Sequence, residues 1–147
     1  MLRLLRLTWA APATMVGLVL GLLAASAGAT FRISGGAIEI AGGRLGTLLR
    51  FVPRFLRFDA ITFGHVVLGR SHAVLAQVRV HEHVHVRQYE RWGIFFFPVY
   101  AGSSLWQLVR RRDPYLDNCF EREAFRVAAA ESGASVARTK AHIDQQT

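Results

Sequence analysis

His72–Trp92, HAVLAQVRVHEHVHVRQYERW, contains neither Gly nor Pro, and Gly93 follows it. Ser71 stands where a helix N-cap belongs and Gly93 where a helix stops, so the stretch predicts one long helix. Val74, Val78, His81, His85, Gln88 and Trp92 recur at spacings of three and four, which puts them on one stripe facing a core. Within that stripe His81 and His85 are one turn apart, so both imidazoles leave the same face and can close on a single ion. Rings aimed into a core need partners, and the competing reading is a buried, mutually hydrogen-bonded pair. Glu82 is one step round the helix, placed to reach a water at such an ion. Zinc lowers the pKa of water toward about 7, and a neighbouring carboxylate can then take its proton as the water attacks a polarised carbonyl. His83 and Glu90 fall off the stripe and read as surface residues.

A catalytic zinc keeps one position open and so needs a third protein ligand. Asp113-Pro114-Tyr115-Leu116-Asp117-Asn118 is a turn followed by a helix start, with Asn118 or Asp117 as the N-cap. The helix that follows is expected to run to about Glu131. Glu121, Ala124 and Ala128 share a face on it, and the alanines permit close approach of another helix. Glu121 is therefore the expected third ligand, against the alternative of a first-turn acid favoured by the helix dipole. Glu123 lies on the far side, toward water, and is the next choice.

Outward from these helices, Thr8 to Phe31 carries no charge, and Ala10–Ala27 is almost wholly Ala, Val, Leu, Met and Gly. That is enough for a membrane-spanning helix. Arg3 and Arg6 before it and Ala27-Gly28-Ala29 after it also fit a cleaved signal peptide. The run exceeds a signal peptide's apolar segment, which favours an uncleaved anchor. Phe31–Gly43, FRISGGAIEIAGG, reads as a short hairpin with Gly-Gly pairs at its turns. Arg50, Arg54 and Arg57 beside Phe51, Phe55 and Phe58 suggest a basic, aromatic element lying along anionic headgroups, although Pro53 weakens a helix there. Ala60–Leu68, AITFGHVVL, reads as one strand ending at Gly69, with His65 within it. Gly93–Val109 is uncharged and aromatic and ends in Arg110-Arg111-Arg112. A full crossing there would put Glu121 on the opposite side from His81 and His85. Pro98, Gly102, Ser103 and Ser104 argue instead for a broken, interfacial or re-entrant element that brings the chain back. Arg3 and Arg6 are matched by Arg32 and Arg44, so charge leaves the orientation undecided.

His81-Glu82-x-x-His85 followed by a helix reading Asn118-x-x-Glu121-x-Glu123-Ala124 resembles the gluzincin class of zinc metallopeptidases, nearest to small, membrane-associated bacterial HExxH proteins. The likeness covers about Ile61 to Ala130. It implies zinc held by His81, His85 and Glu121, Glu82 as general base, peptide-bond hydrolysis of a peptide or protein substrate, and residence in the bacterial cytoplasmic membrane. Where many relatives have an Asp that orients a zinc-binding His, this chain has Phe125, so one supporting carboxylate is missing. Tyr89, Tyr115 and His65 are conceivable oxyanion stabilisers.

The expected architecture is α+β: an N-terminal membrane helix, short β-hairpin and strands, and a helical core in which the HExxH helix packs on a Glu-bearing helix. The expected division is 1–30 as anchor or signal peptide, 31–131 as the metal-binding domain, and 132–147 as a polar, frayed tail. Over 147 residues, 52% hydrophobic and 19% charged composition excludes an intrinsically disordered chain. The net charge of +8, nearly all of it Arg, needs an anionic partner. No nucleic-acid motif accompanies the arginines, so membrane lipids are the expected partner. The single Cys119 excludes an internal disulfide. Two other readings stand beside the hydrolase: a non-catalytic membrane protein with a structural zinc, and a di-iron site from Glu82-x-x-His85. The last needs a second ExxH pair that the chain lacks.

Overall fold

The computed structural model describes residues 2–44, 47 and 59–144. The Arg50, Arg54, Arg57 and Phe51, Phe55, Phe58 stripes lie outside the described residues. The elements are α1 (Leu2–Ser26), β1 (Thr30–Ser34), β2 (Ala37–Ala41), β3 (Ala60–Phe63), β4 (Val66–Gly69), α2 (His72–Trp92), a 3₁₀ turn (Gly93–Phe95), α3 (Phe96–Val109) and α4 (Cys119–Asp144). The protein is α+β, with an apolar N-terminal helix, a small mixed sheet and a helical core.

The strands form one sheet in the order β1-β2-β4-β3, with β2 and β4 parallel and the other pairs antiparallel. β1 and β2 make the expected hairpin, and Gly35 and Gly36 between them both take positive φ (54° and 87°), as a two-residue primed turn demands. Ala60–Leu68 is not the single strand expected. It folds at Gly64-His65 into a second hairpin, with Phe63 facing Val66. Gly64 has φ 58° and sits against Thr14, so a side chain there would meet both left-handed backbone strain and steric conflict. A Gly inside an apolar run therefore marks a turn here.

The two central strands, β2 and β4, are covered on both faces, which explains why they are buried almost throughout, whereas the edge strand β1 is exposed. Ile40, Val66 and Leu68 pack on Ala24 of α1, and Ala37, Ala41 and Val67 pack on Leu75 and Val86 of α2. α1 meets the sheet through its small residues: a Cβ at Gly17 would lie 2.7 Å from that of Val66, and one at Gly21 would run into Ile40. Its opposite face leaves Leu5, Met15, Val16, Val19, Leu22 and Leu23 exposed. Over Leu4–Ser26, α1 is long and apolar enough to cross a membrane, a property that signal sequences and buried core helices share.

α2 begins as expected, with Ser71 Oγ accepting from the Val74 amide, and stops at Gly93, whose φ is 56° and whose α-carbon lies under Trp9. Its burial is broader than one stripe. Leu75, His81, Glu82, Val84, His85, Val86, Gln88 and Tyr89 are all buried, because the sheet, α1 and α4 press on different sides, whereas Trp92 is exposed. Off-stripe positions are therefore occupied too. His83 lies over Gly35 at the β1–β2 turn, and Glu90 Oε1 stands 3.2 Å from His65 Nε2, so neither is a plain surface residue.

After the 3₁₀ turn, the 14 residues of α3 extend about 21 Å, short of the roughly 30 Å hydrocarbon core. The chain then turns at Arg111 (φ 58°) and Asp113, whose carboxylate caps the amides of Tyr115 and Leu116, and α4 returns against α2. Asn118 is the N-cap of α4, accepting from the Phe120 amide. Its amide group donates to Tyr100 O and Ser104 Oγ, locking α3 to the start of α4. α4 does not end near Glu131 but continues to Asp144, so the polar stretch that follows Glu131 is helical over its described residues. The stretch after Ser132 has no Pro, and its one Gly costs only about 1 kcal/mol in a helix.

Candidate metal centre

Three side chains converge where α2 meets the first turn of α4. His81 Nε2 and His85 Nε2 are 3.1 Å apart. Glu121 Oε2 lies 3.0 Å from the first and Oε1 lies 3.4 Å from the second. All three residues are buried. Two helix-borne rings at i and i+4 supply the nitrogens, and the Asn118 cap fixes which residue of α4 faces them. Ala124, with no exposed surface, is one turn on from Glu121 and lets the two helices close.

The donor set fits a metal ion, and a His/His/Glu cluster of this kind could hold one. Ligands about 2.0–2.2 Å from a tetrahedral metal are separated from each other by about 3.3–3.6 Å, and one ligand atom from each of the three residues lies within 4.8 Å of the other two. Glu121 Oε2 is buried, and among the described residues the His81 ring is the polar group it faces, at 3.0 Å.

Electrostatics favour a cation in the same place. Burial alone would raise the Glu121 carboxyl, but the adjoining His81 and His85 rings and the Tyr100 hydroxyl outweigh it and hold its pKa at about 2. Burial would likewise lower His85, yet contact with Glu121 and the charge of Glu82 raise it. Tyr100 donates to Glu121 Oε1 at 2.8 Å and secures that oxygen from α3.

Glu82 is also buried, and its Oε2 accepts from Thr62 Oγ1 of β3 at 2.7 Å. Burial raises its pKa, and the charges of His85 and His81 with the Thr62 hydroxyl offset this only in part. A carboxylate so placed is a stronger base than one in water.

Of the remaining candidates, Tyr89 is core, packed with Ala10, Phe96 and Phe120. His65 is held by Glu90 and Thr14 at the α1 side of the sheet. Tyr115 does adjoin the site, and its hydroxyl is raised by burial and by Glu121. Phe125 packs on the His81 ring, with centroids 4.7 Å apart, in the position where a supporting acid was missed. Glu123 does not simply face water, because its Oε2 accepts from Gln88 Nε2 at 2.8 Å. Thr62 and Tyr100 were not singled out in the sequence, and no local signal marks them beyond a polar residue within an apolar run.

The chain matches no protein-family model, no curated protein and no solved structure.

Proposed function

We propose that the protein is a membrane-held, zinc-dependent hydrolase of peptide bonds. The observation that carries the reading is the meeting of His81, His85 and Glu121 from two helices, with a buried, base-strengthened Glu82 beside the first of them. Zinc at the three ligands would supply Lewis acidity, polarising a peptide carbonyl and acidifying water. Glu82 then acts as general base: it accepts a proton from the attacking water, whose oxygen bonds to the carbonyl carbon. As the C–N bond breaks, Glu82 returns that proton to the leaving amine. Thr62 holds the Glu82 carboxylate in place, and Tyr100 restrains Glu121 so that its oxygens stay turned toward the histidines.

The outward, apolar face of α1 supports residence in a bilayer. Its inward face supports retention of the helix after export, because removing residues up to Ala27 would strip cover from Ile40, Val66 and Tyr89. The Arg110–Arg112 cluster beside the exposed aliphatic end of α3 suits anionic headgroups.

The test uses the full chain purified in detergent. Elemental analysis should find one zinc per chain, lost in His85→Ala and Glu121→Ala. Glu82→Gln should keep zinc while hydrolysis of an unfolded protein substrate falls by about 10²–10⁴-fold. A wild type that holds zinc but cleaves nothing makes the centre a structural tie between α2 and α4.

A further inference from the structure

Gln88 sits one turn beyond His85 on α2, buried, with every polar atom of its amide engaged. Its Nε2 faces Phe120 O at 3.1 Å and Glu123 Oε2 at 2.8 Å. A backbone carbonyl and a carboxylate can only accept, so this end of the amide must be the NH₂ group. The other end is then the carbonyl oxygen, 2.8 Å from His85 Nδ1. An amide oxygen cannot donate, so Nδ1 must carry hydrogen. A neutral imidazole has one N–H, and the lone pair therefore sits on Nε2, the atom that faces His81 and Glu121.

Resting on the metal-binding reading of that centre, we infer that Gln88 is the positioning residue that presets His85 as a ligand. The relay runs from α4 into the site: Phe120 O and Glu123 orient the Gln88 amide, the amide holds Nδ1–H, and Nε2 is left free to bind. Partners of this kind fix ring orientation and tautomer, and losing one typically weakens metal binding 10- to 100-fold. The arrangement also ties ligand geometry to helix docking, since the two groups that orient Gln88 flank Glu121 on the same turn of α4. Among the described residues His81 has no such amide partner, and it rests on the Phe125 ring instead.

Gln88→Met keeps length and bulk while removing the amide. The experiment reads two quantities in the full chain in detergent: the ¹⁵N shifts of the His85 ring without metal, and the zinc dissociation constant by chelator competition. At alkaline pH, where the ring is neutral, the wild type should show a single Nδ1–H tautomer. Gln88→Met should lose that preference and bind zinc 10- to 100-fold more weakly, with unchanged helix content by circular dichroism. An Nε2–H tautomer in the wild type overturns the inference, and so does unchanged zinc affinity in Gln88→Met. A wild type that binds no zinc overturns the hydrolase reading instead, while the tautomer measurement still decides what Gln88 does.

Discussion

Replacing Gly17 by Ala tests whether α1 is a wall of the fold or a detachable leader. A Cβ there would lie 2.7 Å from Val66 Cβ and 3.0 Å from both Cβ and the carbonyl oxygen of Phe63. These are β-carbons and backbone of strands paired in a sheet, which cannot swing aside as a side-chain tip does. Overpacking of this kind costs about 1–3 kcal/mol. Against it stands the helix propensity of Ala, worth about 1 kcal/mol over Gly. The clash therefore wins or at least cancels the gain. Gly133, inside α4 with nothing within 4 Å, isolates the propensity contribution. Gly133→Ala should stabilise by up to about 1 kcal/mol, and Gly17→Ala should be neutral or cost up to about 2 kcal/mol. The two variants should then differ in Tm by roughly 3–10 °C, read by far-ultraviolet circular dichroism during thermal unfolding in detergent. If Gly17→Ala gains as much as Gly133→Ala, α1 does not dock on the sheet and the signal-peptide reading regains its place.

Three more outcomes follow from the geometry. In metal-free protein the Glu121 carboxyl titrates at about 2 in place of 4.5, which at about 1.4 kcal/mol per tenfold stabilises the ionised site by on the order of 3 kcal/mol. Because the folded value is the lower one, that contribution is complete above about pH 4.5 and is lost as pH falls toward 2; urea unfolding of metal-free Glu121→Gln should show a deficit that closes over this window, and a pH-independent deficit would argue against it. Thr62→Val removes the hydroxyl that partly offsets the burial of Glu82, so the acid limb of the kcat/KM profile should move to higher pH, whereas a stationary limb would mean that Glu82 is not the base. Arg79, itself 37% exposed, forms a two-pronged pair with the buried Glu39, and Arg79→Met should cost about 1–3 kcal/mol by leaving that carboxylate unpaired, with most of it recovered by adding Glu39→Leu. Equal unfolding midpoints for the single and double variants would show that the unpaired carboxylate is not the source of the loss.

Much of the chain was legible because its signals are local. The Ser71 cap, the Gly93 stop, the Gly35-Gly36 turn and the i, i+4 relation of His81 to His85 depend only on residues within a turn or two of each other. Glu121 could be placed because the Asn118 cap and the Ala124, Ala128 pattern fix a helix phase. The Gly64 turn was missed because a single Gly within a β-branched run is also compatible with an uninterrupted strand. Glu90 was read as a surface residue because periodicity describes one buried face, whereas α2 is pressed from several sides; Glu123 is exposed as expected, yet one of its oxygens accepts from Gln88.

By itself, then, the sequence determined the helices, their phases, the apolar character of α1 and the types of donor available, since these follow from backbone propensity and short-range spacing. Only the tertiary structure decided that Glu121 meets both rings at 3.0–3.4 Å, that Thr62 holds Glu82, and that Gln88 is turned by Phe120 and Glu123. Those contacts join residues from 20 to 40 positions apart. Their existence depends on how α2 is enclosed by the sheet, α1 and α4, and no helical period encodes which neighbour lies against which face.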